Sequence, residues 1–288
     1  MNKNINIKFI RFVSMVEKLY FGPAGVPLSS PKKDIYNGIK YTYEELKLNG
    51  LELEFTYGVR MKDEAANNIK EYIKDKDFII TCHAPYFINF NAQEKTKLEN
   101  SKKMLYESAK KTYLSGGISV AFHPAWYHKN SPEEVYKKAR ESIREVINKL
   151  IDENINIVIR PETMELKNKF GDIDEVINLS LDIDNVLPAI DFAHLRYRYN
   201  DNSIEFFRKI LEKLESNLGR EILDNMHIHM SGITLDSKGT HKILEESDMP
   251  WRDILRLLKE FNCKGIIISE SPNVEEDAVR MKNYFEKL

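Results

Sequence analysis

The sequence predicts a single parallel (β/α)8 barrel, and three observations carry that prediction. Apolar, β-rich runs alternate along the chain with Lys- and Glu-rich stretches of helical periodicity. The apolar runs suit strands buried on both faces, as in a parallel sheet covered by helices. No Gly-rich phosphate loop follows the first strand. FGPAGVPLSS (21–30) lacks the dinucleotide-binding spacing, which disfavours an open doubly wound sheet. A length of 288 residues is normal for a barrel and ample for its core.

The elements follow in order. KLYFG (18–22) leads to a helical pattern over 33–48, and LELEF (51–55) to one over 61–75. DFIITCH (77–83) leads to 91–114, and GISVAFH (117–123) to 131–152. The last of these stretches has Ser131 as N-cap, Pro132 at its first position, early acids and apolar residues at helical spacing. NINIVIRPE (154–162), NVLPAID (185–191), MHIHMS (226–231) and GIIISE (265–270) precede helices at 171–182, 201–217, 249–261 and 272–287. DMPW and SPNV open the final two with a capping residue and an early Pro. Every unit is about one strand and one helix long, so no domain boundary is expected within 16–288. Residues 1–15 are read as an N-terminal extension, either an extra helix or a stretch ahead of a start at Met15.

Composition bounds the function. The formal net charge of -2 gives no global basic field for nucleic acid. Bound divalent cations or a local Arg/Lys cluster can supply that charge instead. Cys82 and Cys263 fall in predicted strands and need not pair, which fits a reducing compartment. No apolar stretch has the length of a membrane span, and the N-terminus lacks a signal-peptide core. A cytoplasmic protein with no membrane and no obligate protein partner is expected.

The chemistry lies where the runs end. FIITCH ends in His83, ISVAFH in His123, INIVIRPE in Glu162, VLPAIDFAH in Asp191 and His194, and IIISE in Glu270. MHIHMS holds His227 and His229, and His241 follows in a loop. In a β/α barrel the C-terminal strand ends form one rim, where active sites sit. A lone histidine at a strand end is usually a hydrogen-bonded core or rim residue; six run ends with ligand chemistry indicate a metal centre. Imidazole nitrogen mixed with carboxylate oxygen suits Zn2+ best, with Mn2+ or Fe2+ as alternatives. There are too many ligands for one tetrahedral ion. A shared carboxylate would bridge two ions roughly 3.5–4 Å apart, an arrangement used in phosphoester cleavage. His128 reads as a solvated loop residue and Cys82 as a packing residue.

In their order and spacing, these blocks resemble the endonuclease IV family of apurinic/apyrimidinic endonucleases, among the xylose isomerase-like barrels. The resemblance runs from about residue 18 onward, through FGPAGVPLSS, HAPYFINF (83–90), FHP (122–124), PET (161–163), DFAH (191–194), HMSG (229–232) and SESP (269–272). It implies one ion on His83, His123 and Glu162. A second would share Glu162 and add Asp191, His229 and Glu270. A third would use His194 and His241 with an aspartate two residues before the latter. Gly239 stands there instead, so two well-held ions are expected, with the third weak, exchangeable or absent. His229 is taken as ligand over His227, which becomes a core or ligand-orienting residue. Glu162 and Glu270 are the implied catalytic carboxylates. Tyr86 matches a residue near the abasic-site pocket. Arg196, Arg198 and Lys238 are candidate phosphate contacts; as loop charges they read equally well as solvated.

The activity so implied is metal-dependent phosphodiester cleavage of DNA, 5′ to abasic sites. Its rival is a sugar isomerase or epimerase on the same barrel, with one ion on Glu162, Asp191, His229 and Glu270. Such a site has no use for His83, His123 or His194.

Overall fold

The computed structural model describes residues 16–236 and 239–288. The expectation about residues 1–15 and the Lys238 contact lie outside the described residues. The parallel strands are β1 (Leu19–Pro23), β2 (Gly50–Glu54), β3 (Ile79–His83), β4 (Ser119–Phe122), β5 (Val158–Pro161), β6 (Ala189–Asp191), β7 (Met226–Met230) and β8 (Gly265–Ser269). They pair in two parallel sets, β1-β8-β7-β6 and β2-β3-β4-β5. Parallel bridges close the ring: Ala24 with Glu52 between β1 and β2, and Ile159 with Val186 and Glu162 with Ala189 between β5 and β6. Gly22 is required at the first seam, because a Cβ there would lie 2.3 Å from the Gly50 carbonyl oxygen. The alternation in the sequence therefore yields the barrel it predicts.

Helices cover the outside: α1 (Ile35–Glu44), α2 (Asp63–Ile73), α3 (Lys95–Leu114), α4 (Pro132–Asp152), α5 (Ile173–Asp182), α6 (Phe192–Tyr199), α7 (Ile204–Leu218), α8 (Arg220–Leu223), α9 (Trp251–Glu260) and α10 (Glu275–Phe285). Their apolar stripes pack on the outward strand residues in two buried clusters. One joins Phe21, Ile228 and Ile267 to Leu211, Leu214, Leu255 and Leu258. The other joins Leu51, Leu53, Ile80, Val120 and Ile159 to Ile69, Leu105 and Ile143. Each such side chain contributes about 1.5–3 kcal/mol through burial.

Caps show where the sequence reading holds and where it does not. Ser131 and Glu134 form a reciprocal capping box at α4, with bonds of 3.3 and 3.0 Å. The caps expected at Asp248 and Ser271 are not made, and α9 and α10 begin later. Asp248 is drawn off by the Arg196 guanidinium at 2.8 Å. The sequence reading also missed α6. Asp191 ends β6 and caps that helix at once, its Oδ1 accepting from the His194 amide at 2.6 Å.

The barrel interior is polar toward the C-terminal rim. Alternate strand residues share a face, and Glu52 on β2 meets His227 and His229 on β7 although the two strands are not neighbours. Below them Arg160 is fully buried and donates to the Pro188 carbonyl and to the Asn225 carbonyl and side chain.

Candidate metal centre

Glu162 follows the last residue of β5, bridges to Ala189, and stands at the middle of the rim with no solvent exposure. Its two carboxylate oxygens divide the histidines. Oε2 lies 3.1 Å from His83 Nε2 and 3.3 Å from His123 Nε2. Oε1 lies 3.2 Å from His194 Nδ1 and 3.2 Å from His229 Nδ1. His229 Nδ1 is also 3.2 Å from Glu270 Oε1. Ligand atoms consequently gather into four overlapping sets among the described residues: His83–His123–Glu162, Glu162–Asp191–His229–Glu270, Asp191–His194–His241 and, deeper in the barrel, Glu52–His227–His229. The residues predicted from strand ends are thus brought together at one rim.

Neighbouring groups fix which nitrogen each ring presents. His83 Nδ1 donates to the Ala84 carbonyl at 2.7 Å, leaving the Nε2 lone pair on the Glu162 side. His194 Nδ1 lies 2.9 Å from the Thr163 carbonyl and His241 Nδ1 3.3 Å from the Glu270 carbonyl. Their Nε2 atoms then face one another at 3.1 Å. Two bare imidazole nitrogens held this way repel unless a cation or a proton lies between them. Asp191 uses Oδ1 as a helix cap and leaves Oδ2 buried with no hydrogen-bond partner. Orphaned buried oxygen beside facing lone pairs, with nitrogen and oxygen donors mixed, fits divalent transition-metal ions.

Without metal the cluster shares protons. Burial works against charge throughout, yet the surrounding imidazoles hold the Glu162 carboxyl well below its usual range. Burial opposes protonation of His83 too, but the Glu162 carboxylate raises it to about 9, and Asp191 and Glu162 raise His194 to about 10. Burial leaves His123 neutral, down to about 4, and pushes Asp191 up to about 6. Metal entry must displace the protons on His83 and His194, so affinity should increase with pH.

Three carboxylates at or near this arrangement escaped the sequence reading. Glu52 is fully buried, with Oε2 2.8 Å from His227 Nε2 and Oε1 2.9 Å from His229 Nε2. These are ion-pair separations without hydrogen-bond alignment, since Oε1 and both nitrogens lack an aligned partner. Oε2 accepts from Thr81 at 2.8 Å, and His227 Nδ1 lies 3.1 Å from Ser119 Oγ. Glu52 thereby orients His229 from below while His227 fills the interior. Glu54, two residues on, is pushed by burial up to about 8. Glu165 is buried, pairs through Oε1 with Lys169 at 2.7 Å and leaves Oε2 without a hydrogen-bond partner. The signal for the first two was LELEF: acids at alternate positions of a strand expected to be buried on both faces.

Tyr86 packs over two candidate ligands, its ring centroid 5.1 Å from that of His83 and 5.3 Å from that of His123, while 48% of it stays exposed. Arg196 and Arg198 are not available as phosphate contacts. Both are buried: Arg196 holds Asp248, and Arg198 holds Asp172 and the Leu166 carbonyl. Helix α6, unforeseen, places both guanidinium groups against internal partners. His128 has its Nε2 3.2 Å from Asn89 Nδ2 and stands apart from these ligand sets. Cys82 and Cys263 are free and buried.

Comparison with known proteins places the fold. The model of the family described as xylose isomerase-like TIM barrel matches residues 42–288. An uncharacterised protein of Methanocaldococcus jannaschii is 41% identical over 274 residues, covering 94% of this chain and 98% of that one. A probable endonuclease 4 of Mycoplasma pneumoniae is 26% identical, covering 74% of this chain and 75% of its own. A solved D-tagatose 3-epimerase-like protein superposes with a TM-score of 0.71 at 19% identity, covering 92% and 96% of the two chains. That last likeness is one of fold.

Proposed function

Because the chain belongs to the xylose isomerase-like TIM barrel family, we propose that it is a divalent-metal phosphodiesterase that cleaves DNA at abasic sites. One observation carries the reading: Glu162 divides its two oxygens between two histidine clusters, His83 with His123 and His194 with His229. A single-ion sugar epimerase would use Glu162, Asp191, His229 and Glu270 and leave His83, His123, His194 and His241 without a task. The family likeness in HAPYFINF, DFAH and HMSG favours the same choice.

The residues have distinct tasks. His83, His123 and Glu162 would hold one ion, and Glu162, Asp191, His229 and Glu270 a second; zinc suits the donors best, with manganese or iron as alternatives. When bound, such ions supply Lewis acidity and positive charge to a phosphodiester. Glu162 keeps the two positions at a fixed separation. Glu270, 12% exposed at its side chain, stands on the open side, where it can position a water for in-line attack. Without ions the protonated imidazoles of this rim are already paired with its carboxylates and leave no free positive charge for a phosphate, so DNA binding and metal content are expected to be coupled.

Exposed apolar residues surround the rim on the loops that follow the first four strands: Leu28, Tyr57, Tyr86, Phe87 and Trp126. Rings there can stack on bases opened at a lesion, adding affinity that a net charge of -2 does not supply as a global basic field. Phe87 is 65% exposed. Phe87→Ser should weaken binding to abasic duplex by about 1–3 kcal/mol, roughly 5- to 150-fold, with little change in melting temperature. Fluorescence anisotropy reads the first quantity and calorimetry the second.

The deciding experiment is incubation of a duplex carrying one abasic site with the metal-loaded protein. Incision 5′ to the site is expected, with a 3′ hydroxyl that a polymerase extends. Chelator should abolish it, and zinc or manganese should restore it. No incision by fully loaded protein, together with metal-dependent epimerisation of a ketohexose, would transfer the assignment to the sugar enzymes.

A further inference from the structure

We infer that Glu165 is the carboxylate ligand of a third cation site whose other ligands are His194 and His241. The inference rests on the reading of the rim as a multinuclear metal centre and deepens it.

The two imidazoles present Nε2 atoms 3.1 Å apart. Two nitrogens on one tetrahedral zinc are separated by about 3.3 Å, given bonds of about 2.0–2.1 Å, so the pair is already spaced for an ion. A shared proton would also relieve their facing lone pairs. It would leave a different group unsatisfied. Glu165 Oε2 lies 4.0 Å from His194 Nε2, and the side chain is 8% exposed. That oxygen accepts no hydrogen bond among the described residues. Lys169 holds the other oxygen at 2.7 Å, which orients the carboxylate without using Oε2. A cation next to His194 would satisfy both imidazoles and, with a small shift of the carboxylate toward it, Glu165 as well.

Of the other acids near this pair, Asp191 shares a ligand set with both imidazoles, and two more are held by other partners. Asp191 lies within reach, but its one free oxygen also belongs to the set with Glu162, His229 and Glu270. Asp236 closes the turn before His241, its Oδ1 accepting from the Gly239 amide at 3.1 Å. Glu245 pairs with Arg252 and Arg280.

Gly239 supplies the second half of the case. A Cβ built on it would lie 3.1 Å from Glu165 Cγ and 3.2 Å from the Tyr197 ring. The Glu165 side chain therefore occupies the volume into which a side chain at 239 would project. A carboxylate two residues before His241 and one at 165 are alternatives for the same space, and this chain has the one at 165. The third ion, expected from the sequence to be weak or absent, regains an anionic ligand from the loop after β5.

The test counts ions. Protein stripped by chelator and reloaded with zinc, freed of excess by gel filtration, should hold three ions per chain by plasma mass spectrometry. Glu165→Gln should hold two and bind the third at least tenfold more weakly in a zinc titration. The double variant Glu165→Ala with Gly239→Asp should recover the third, since Asp tolerates the positive φ of 62° at that position and Glu165 no longer blocks it. Crystals of the unmodified chain soaked in zinc should show anomalous density between His194 and His241, within bonding distance of a Glu165 oxygen, which needs no variant to fold. Two ions in the unmodified chain, or three in Glu165→Gln, would overturn the assignment of Glu165 while leaving the two-ion reading intact. No retained ions in any form would overturn both.

Discussion

Glu162→Ala should strip metal from two positions at once and lower any metal-dependent turnover by at least about a thousandfold, because one carboxylate serves both. The geometry sets the size of the effect. Each oxygen of Glu162 stands 3.1–3.3 Å from two imidazoles, so no other group can take over either side. His123→Ala is the control. It removes a ligand from one set only and should lower occupancy there while the Glu162–Asp191–His229–Glu270 set keeps its ion. The alanine also removes the anion that balances His83, His194 and His229, so the metal-free variant should shed protons from these rings and remain folded as neutral imidazoles. Metal analysis with circular dichroism reads both consequences. A folded Glu162→Ala protein with its full metal content would remove the bridging role from Glu162, and with it the main support for a phosphodiesterase.

The barrel was legible because its physics is local. Strand runs such as GIIISE and capped helices such as 131–152 carry their own periodicity and end signals. The convergence of the candidate ligands was legible for a related reason, since barrel topology gathers strand ends whatever the intervening loops do. What was not legible depends on pairing across the barrel. Glu52 becomes a ligand-orienting residue only because β2 faces β7 across the interior, and Glu165 only because the loop after β5 meets the segment holding Gly239 and His241. Arg196 and Arg198 misled for the opposite reason. Residues two apart on a helix point in different directions, so α6 sends one guanidinium to Asp248 and the other to Asp172. Asp191 combines both readings of such a residue, with one oxygen capping a helix and the other free for an ion.

Glu52→Gln and Glu52→Ala should separate support of a ligand from ligation itself. Glu52 touches the rim only through His229, whose Nε2 it holds at 2.9 Å while Nδ1 faces Glu162 and Glu270. Burial opposes its charge, but His229 and His227 keep its carboxyl well below the usual range, so the folded protein carries an anion there. Gln keeps the shape and leaves an oxygen beside His229. Its amide group then confronts either His227 or the Thr81 hydroxyl, and the negative charge that raises the basicity of His229 is gone. Affinity for the ion on His229 should fall about 10- to 100-fold, while the ion on His83 and His123 is retained. Ala should cost more in stability, about 3–5 kcal/mol in the metal-free protein, because two buried imidazoles and a threonine hydroxyl lose their partner together. That loss has a direction in pH. A carboxyl depressed by folding adds stability above its unfolded pKa of about 4.3 and surrenders it as pH falls below that value. The gap between the unmodified protein and Glu52→Ala should therefore be widest above about pH 5 and narrow on acidification. Urea unfolding across pH measures the gap, and competitive zinc titration measures the affinities. Equal weakening of both ions by Gln would mean that Glu52 supports the barrel as a whole, whereas loss confined to the His229 ion would identify it as the residue that aims that imidazole at the metal.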